Sequence, residues 1–122
     1  MPYSKEYLQY ILEQLAGLRG VVARRLFGGA GFYSNELFFG LLMEDTLYFR
    51  VNDANRADYE ALGMRRFQPY EDKAHLSFNY YTVPAHVLED PDELVAWARR
   101  SLDAAAKSLK APRRRKKGSR SS

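Results

Sequence analysis

Between Leu26 and Asp53 the chain has few folding options, because LFGGAGFYSNELFFGLLMEDTLYFRVND holds three strand-like runs separated by short polar turns. Phe32 and Tyr33 follow a Gly28-Gly29-Ala30-Gly31 cluster, Ser34-Asn35-Glu36 reads as a tight turn, and Leu37 to Met43 is almost continuously apolar. Glu44-Asp45 then turns the chain into Thr46 to Val51, where Leu47, Phe49 and Val51 alternate with Tyr48 and Arg50. A period of two is the mark of a strand with one buried face, and short turns between such strands make a β-meander. Leu37 to Met43 is apolar on both faces apart from Gly40, which predicts a central strand.

The flanking segments supply something for that sheet to pack against. Ser4 is placed to cap a helix in which Tyr7, Leu8, Ile11, Leu12, Leu15 and Leu18 recur at helical spacing, with Gly17 and Gly20 ending it. Val21 to Phe27 reads as the first strand. After Val51, Asn52 or Asp53 is expected to cap a short helix through Asp58, Tyr59 and Leu62, stopped by Gly63. Met64 to Tyr70 reads as a strand pushed to the edge by Pro69, and Glu71-Asp72-Lys73 as the turn after it. His75 to Thr82 follows as a strand whose apolar face is Leu76, Phe78 and Tyr80, with Tyr81 on the more polar face. Pro84 ends this strand and starts a helical turn. Asp90-Pro91-Asp92-Glu93 then combines an N-cap, an N1 proline and early acids, and opens the longest helix. Its buried stripe is predicted as Leu94, Trp97, Ala98, Leu102, Ala105 and Leu109, with Arg99, Arg100, Lys107 and Lys110 towards its C-terminal half. The expected class is α+β, two layers: an antiparallel sheet of about five to six strands with N-terminal and C-terminal helices packed on it.

Composition limits function more than it suggests it. A chain of 122 residues makes one domain, and the absence of cysteine excludes disulfides, thiolate nucleophiles and Cys-type zinc sites while suiting a reducing cytoplasm. Met1 to Tyr10 carries charge within an amphipathic pattern, so no secretory leader is expected, and no apolar run approaches a membrane span. The formal charge is +4, from 19 basic and 15 acidic side chains. Six of the basic ones (Arg113, Arg114, Arg115, Lys116, Lys117 and Arg120) fall after Pro112, so the folded part is left slightly acidic. The expected organisation is therefore a domain over residues 1–111 and a disordered basic tail over 112–122, the tail serving either weak, non-specific contact with nucleic acid or solubility with no partner at all, since clustered charge supports both.

Several pieces stand in a specific order and spacing: Arg25-Leu26-Phe27-Gly28-Gly29-Ala30-Gly31-Phe32-Tyr33, Phe39-Gly40-Leu41-Leu42, Leu47-Tyr48-Phe49-Arg50-Val51, Phe67, Tyr80-Tyr81-Thr82-Val83-Pro84, and Leu94 with Trp97-Ala98. Together they resemble the N-terminal domain of the TfoX/Sxy competence regulators. This resemblance implies the same sheet-and-helix fold, a link to regulation of DNA-uptake genes, and no known catalytic residue. Full-length members carry a second, helical C-terminal domain, whereas here only the basic tail follows Leu109, so a stand-alone form is expected.

No motif argues for chemistry. Gly28 to Gly31 leads into a strand and lacks the Gly-Lys-Ser/Thr of a phosphate loop, so it is read as a turn in which Gly29 or Gly31 takes positive φ. The alternative is a small-molecule or anion site built from Arg24, Arg25, Gly28, Gly29, Gly31 and Arg50. Adjacent acids at Glu44-Asp45, Glu71-Asp72, Glu89-Asp90 and Asp92-Glu93 read as caps and solvated turns, His75 and His86 lack metal-motif spacing, and Ser77 has no base. The many aromatics read as core rather than as a platform for single-stranded nucleic acid, since the folded part lacks a basic surround. Neither cofactor nor metal is expected. The reading is a non-enzymatic regulatory or adaptor domain whose partner is another protein.

Overall fold

The computed structural model describes residues 4–26, 28–67 and 79–115, with the side chains of the last helix described as far as Ser108. Helix α1 (Lys5–Gln14) leads to four strands, β1 (Val21–Leu26), β2 (Gly29–Ser34), β3 (Leu37–Met43) and β4 (Thr46–Arg50). Then come the short helix α2 (Arg56–Ala61), strand β5 (Tyr80–Thr82), a helical turn α3 (Ala85–Leu88) and the long helix α4 (Pro91–Arg115). The five strands lie in sequence order, every neighbouring pair antiparallel, which is the meander and the α+β class expected from the sequence.

Turn chemistry fixes the register. Asn35 and Glu36 (φ 51° and 70°) join Ser34 to Leu37, and Glu44 and Asp45 (φ 52° and 59°) join Met43 to Thr46. Two consecutive positive φ values match the right-handed twist of a tight hairpin. One irregularity was not foreseen. Phe32 pairs with Gly40 but Tyr33 with Phe38, so Phe39 is an extra residue in β3. The bulge gives the helix side of β3 two successive positions: Phe39 fills one, and Gly40 leaves the other open for Phe49, whose Cδ1 lies 2.9 Å from where a Cβ would stand.

Phe32, Phe39, Phe49, Leu42, Leu47 and Val51 face the helices and pack with Ile11 and Leu15 of α1, Val87 of α3, and Leu94 and Ala98 of α4 in one buried cluster. Burying each such side chain contributes about 1.5–3 kcal/mol. The predicted α1 stripe holds, as does the Ser4 cap, whose hydroxyl accepts from the Tyr7 amide at 3.1 Å. Asp90 caps α4 through the Asp92 and Glu93 amides at 3.1 and 3.4 Å.

Four expectations need correction. Asn55, not Asn52 or Asp53, is the N-cap of α2. Asn52 and Asn55 instead lock a turn, Asn55 Oδ1 accepting from the Asn52 amide at 2.8 Å and Asn52 Oδ1 from the Ala54 amide at 2.9 Å. Tyr81, placed by alternation on a polar face, is buried on the helix side, because its hydroxyl reaches Glu60 at 2.7 Å while its ring joins the core. Trp97 is only half-buried. The stripe of α4 rotates onto Leu94, Val95, Ala98, Ser101, Ala104 and Ala105, the last four being small enough to let the helix settle closely on the sheet, and Trp97 packs edge-on against Tyr59 at 4.8 Å. Finally, the backbone of α4 runs through Ala111 and Pro112 to Arg115, past the point where the tail was expected to begin.

The predicted edge strand is described only to Phe67, where Arg66 bridges Tyr81 and the Phe67 amide donates to the Tyr80 carbonyl at 2.9 Å. Pro69, the Glu71-Asp72-Lys73 turn, His75 and Ser77 lie outside the described residues, as do Lys116, Lys117 and Arg120.

Candidate functional site

The glycine cluster is a structural device. The positive φ belongs to Gly28 (82°), in the β1–β2 loop, and not to Gly29 or Gly31, which are ordinary members of β2. What those two require is space: a Cβ on Gly29 would lie 2.2 Å from the Leu42 carbonyl oxygen, and one on Gly31 2.9 Å from Phe38 Cε1. Because both sit in the β1–β2–β3 ladder, their amides belong to strand pairing and do not converge on a ligand.

The three arginines of the anion-site reading are spread out. Arg24 and Arg25 are consecutive in β1 and so project from opposite faces, and Arg50 stands at the end of β4, three strands away, roughly 14 Å at ordinary strand spacing. Arg24 lies 4.8 Å from the Tyr33 ring centroid and 4.0 Å from the Glu36 carboxylate. Arg50 donates to the Tyr80 hydroxyl at 3.1 Å and to Ser108 Oγ at 2.8 Å, tying the end of the sheet to α4.

Between these two arginines the far face of the sheet carries a row of rings: Tyr33 stacks on Phe38 at 5.0 Å, and Phe38 approaches Tyr80 at 5.7 Å. Each ring has a neighbour on either side, Arg24 beyond Tyr33 and Arg50 beyond Tyr80. Ring faces occupied in this way are not offered to bases, which argues against a stacking platform. Leu41, Phe67 and Tyr80 form a small second core on this face. Burial raises the Tyr80 phenol pKa, partly offset by the Arg50 charge, and burial likewise raises those of Tyr59 and Tyr81.

The acidic pairs within the described residues serve the fold: Asp45 accepts from the Ser4 amide at 2.9 Å, and Asp90 caps α4. Asp58 pairs with Arg100, joining α2 to α4. His86 is exposed on α3, and among the described residues no three His, Asp or Glu side chains come together as metal ligands would.

One depression escaped the sequence reading. A shallow hollow of about 450 Å³ lies where the α1–β1 loop, the β2–β3 turn and α4 meet, lined by Arg19, Ser34, Asn35, Arg99 and Asp103 among others. Its lining comes from three distant segments, so no local pattern could have announced it. Ser34 is spent on the fold, donating to the Arg19 carbonyl at 2.8 Å.

A five-stranded antiparallel meander backed by terminal helices defines an α+β domain. The TfoX N-terminal domain family matches residues 13–105, and the chain belongs to that family. It is also 26% identical over 80 residues to the DNA transformation protein TfoX1 of Aliivibrio fischeri (strain ATCC 700601 / ES114), an alignment covering 66% of this chain and 38% of that protein. The match thus spans well under half of the relative's length. No helix among the described residues is long and apolar enough to cross a membrane.

Proposed function

We propose that this chain is a regulatory domain of the competence type, acting in the cytoplasm through protein contacts rather than by catalysis, and influencing transcription of DNA-uptake genes. The observation that carries the reading is the family match over residues 13–105, together with a relative named as a DNA transformation protein. The geometry supports a contact role: Ser4, Asp45, Asn52, Asn55, Arg50 and Asp90 are engaged in caps, turns and inter-element bonds, while Arg24 and Arg25 stay exposed on the sheet.

Nucleic acid enters this reading only through the C-terminal basic residues. Ser108 bonds Arg50 at the end of the sheet, so the backbone carrying Arg113, Arg114 and Arg115 leaves the domain there, with Lys116, Lys117 and Arg120 following in sequence. Cations in such a run engage phosphates, giving weak binding that ignores sequence and falls steeply with salt.

Deleting the gene in its own host and measuring both uptake of labelled DNA and transcripts of uptake genes tests the proposal. Uptake and transcripts are expected to fall and to recover on complementation; unchanged values in the deletion strain would overturn it. The nucleic-acid clause is tested separately by duplex binding at low and moderate salt for the full chain and for a chain ending at Ala111. Equal affinity of the two would remove that clause.

A further inference from the structure

Strand β1 pairs with β2 on one side, and among the described residues nothing pairs with its other side. Natural sheets blunt such edges with charged side chains, proline, bulges or very short strands, because unpaired N–H and C=O groups recruit another strand, and charge on the edge repels like-charged strands while leaving it open to oppositely charged ones. Here six residues, Val21-Val22-Ala23-Arg24-Arg25-Leu26, run in unbroken register with no proline and no bulge. Val22 is 44% exposed.

The direction of the free groups follows from the hairpin. Leu26 and Gly29 flank the two-residue loop and bond each other, so by alternation Leu26, Arg24 and Val22 turn their backbone groups towards β2. Val21, Ala23 and Arg25 therefore present theirs outward. The same result comes from the other hairpin: Ser34 bonds Leu37 across its own tight turn, leaving its β1 partner Val21 without a bond on that side.

Charge decides what can use this edge. Two β1 strands from two copies, antiparallel, would gather four guanidinium groups within about 10 Å of one dyad, given a rise near 3.3 Å per residue, and that clustering of like charge opposes pairing even in registers where no arginine stands directly opposite another. An acidic strand meets the opposite situation. Arg24 and Arg25 flank the edge on its two faces, and Arg19 and Arg99 line the hollow at the Val21 end, with Asp103 the one carboxylate among its lining residues. The acid paired with Arg24 is Glu36, with both side chains exposed and 4.0 Å apart, a contact worth at most about 1 kcal/mol and readily exchanged for an incoming carboxylate.

We propose that the outer edge of β1 receives an extended acidic segment of a partner protein as a sixth strand, the backbone ladder supplying affinity and the flanking arginines selecting for Asp and Glu. This rests on the protein-contact reading above and names the surface and the partner's chemistry.

Three probes test it against the full chain labelled for amide NMR: an octapeptide of alternating valine and glutamate, the same peptide with lysine for glutamate, and the glutamate peptide with alternate amides N-methylated. The glutamate peptide is expected to bind, shifting and protecting from exchange the amides of Val21, Ala23 and Arg25. The other two peptides are expected not to. Arg24→Glu with Arg25→Glu, both at exposed positions, should weaken the glutamate peptide about tenfold and make the lysine peptide the better ligand, as loss of two exposed ion pairs of up to about 1 kcal/mol each implies; the amide spectrum of the variant itself checks that its fold is kept. Failure of the glutamate peptide to bind would overturn the proposal. So would equal binding of the N-methylated peptide, or sedimentation as a dimer with those same amides protected. Loss of DNA uptake on gene deletion without peptide docking would leave the regulatory reading standing and remove only this edge; docking without any uptake defect would do the reverse.

Discussion

Replacing Gly29 with alanine is the sharpest test of how this sheet is assembled. The added Cβ would stand 2.2 Å from the Leu42 carbonyl oxygen and 3.0 Å from Met43 Sδ. That is about 1 Å inside the ~3.3 Å of a close carbon–oxygen contact. A side-chain tip could rotate away, but a backbone carbonyl in the central strand cannot move without parting β2 from β3. The nearest pairing at risk is Ala30 with Leu42. Overpacking of this kind costs about 1–3 kcal/mol, and a buried ladder bond left unmade adds about 1–3, so a loss of about 3 kcal/mol is expected. With a urea slope of about 1.5 kcal/mol per molar, the midpoint should fall by ~2 M. Gly63→Ala is the control. That glycine has φ 71° but nothing within 4 Å of an added Cβ, so it should lose only about 1 kcal/mol, the cost of the backbone conformation alone. A Gly29→Ala loss no larger than the Gly63→Ala loss would refute the steric argument.

Glu36→Gly should stabilise the protein by about 0.5–1 kcal/mol, since it relieves a φ of 70° and turns the hairpin into Asn-Gly; a lower thermal midpoint would count against the turn assignment. Trp97→Ala should cost about 2 kcal/mol in urea unfolding, below the 3–5 typical of a fully buried Trp, because Trp97 is half-exposed and rests on Tyr59. Arg50→Ala should cost about 2 kcal/mol by removing charged hydrogen bonds to Tyr80 and Ser108, and Arg50→Lys should recover little because one ammonium cannot span both partners. Raising the pH through 10.0, where the phenols of the unfolded chain ionise, should lower stability progressively. Tyr59, Tyr80 and Tyr81 hold their protons to higher pH when folded, so above 10.0 the native state binds more protons than the unfolded one, and urea midpoints measured from pH 8 to 11 should fall only in the upper part of that range.

The meander was legible because strand period and turn chemistry agree there. Leu47, Phe49 and Val51 face the core as their alternation predicts, and Asn35-Glu36 and Glu44-Asp45 turn where polar pairs interrupt apolar runs. Legibility failed where a tertiary contact overrides local pattern. Tyr81 looked polar by position yet is buried, since a phenol can place its ring in the core and its hydroxyl on Glu60 at the rim. Trp97 looked central by size, but the closely packed stripe of α4 belongs to Ala98, Ser101, Ala104 and Ala105, which a hydrophobicity count undervalues. The bulge at Phe39 has no sequence mark beyond Gly40, and that glycine is explained only once Phe49 is seen beneath it.

The arginines show why a site of contact is harder to read than a fold. Arg24, Arg25 and Arg50 share one residue type, and an anion site follows if they converge. Alternation sends Arg24 and Arg25 to opposite faces, and the strand order sets Arg50 across the sheet, so convergence is the one arrangement the meander forbids. What the topology allows instead is separation of tasks. Arg50 is consumed in joining Tyr80 to α4, while Arg24 and Arg25 stay exposed on either side of an unpaired strand. A pair of cations astride a backbone edge selects the charge of an extended partner without enclosing it, and only the position of β1 at the end of the strand order, which no residue of β1 encodes, turns those arginines into an edge rather than part of an interior ladder.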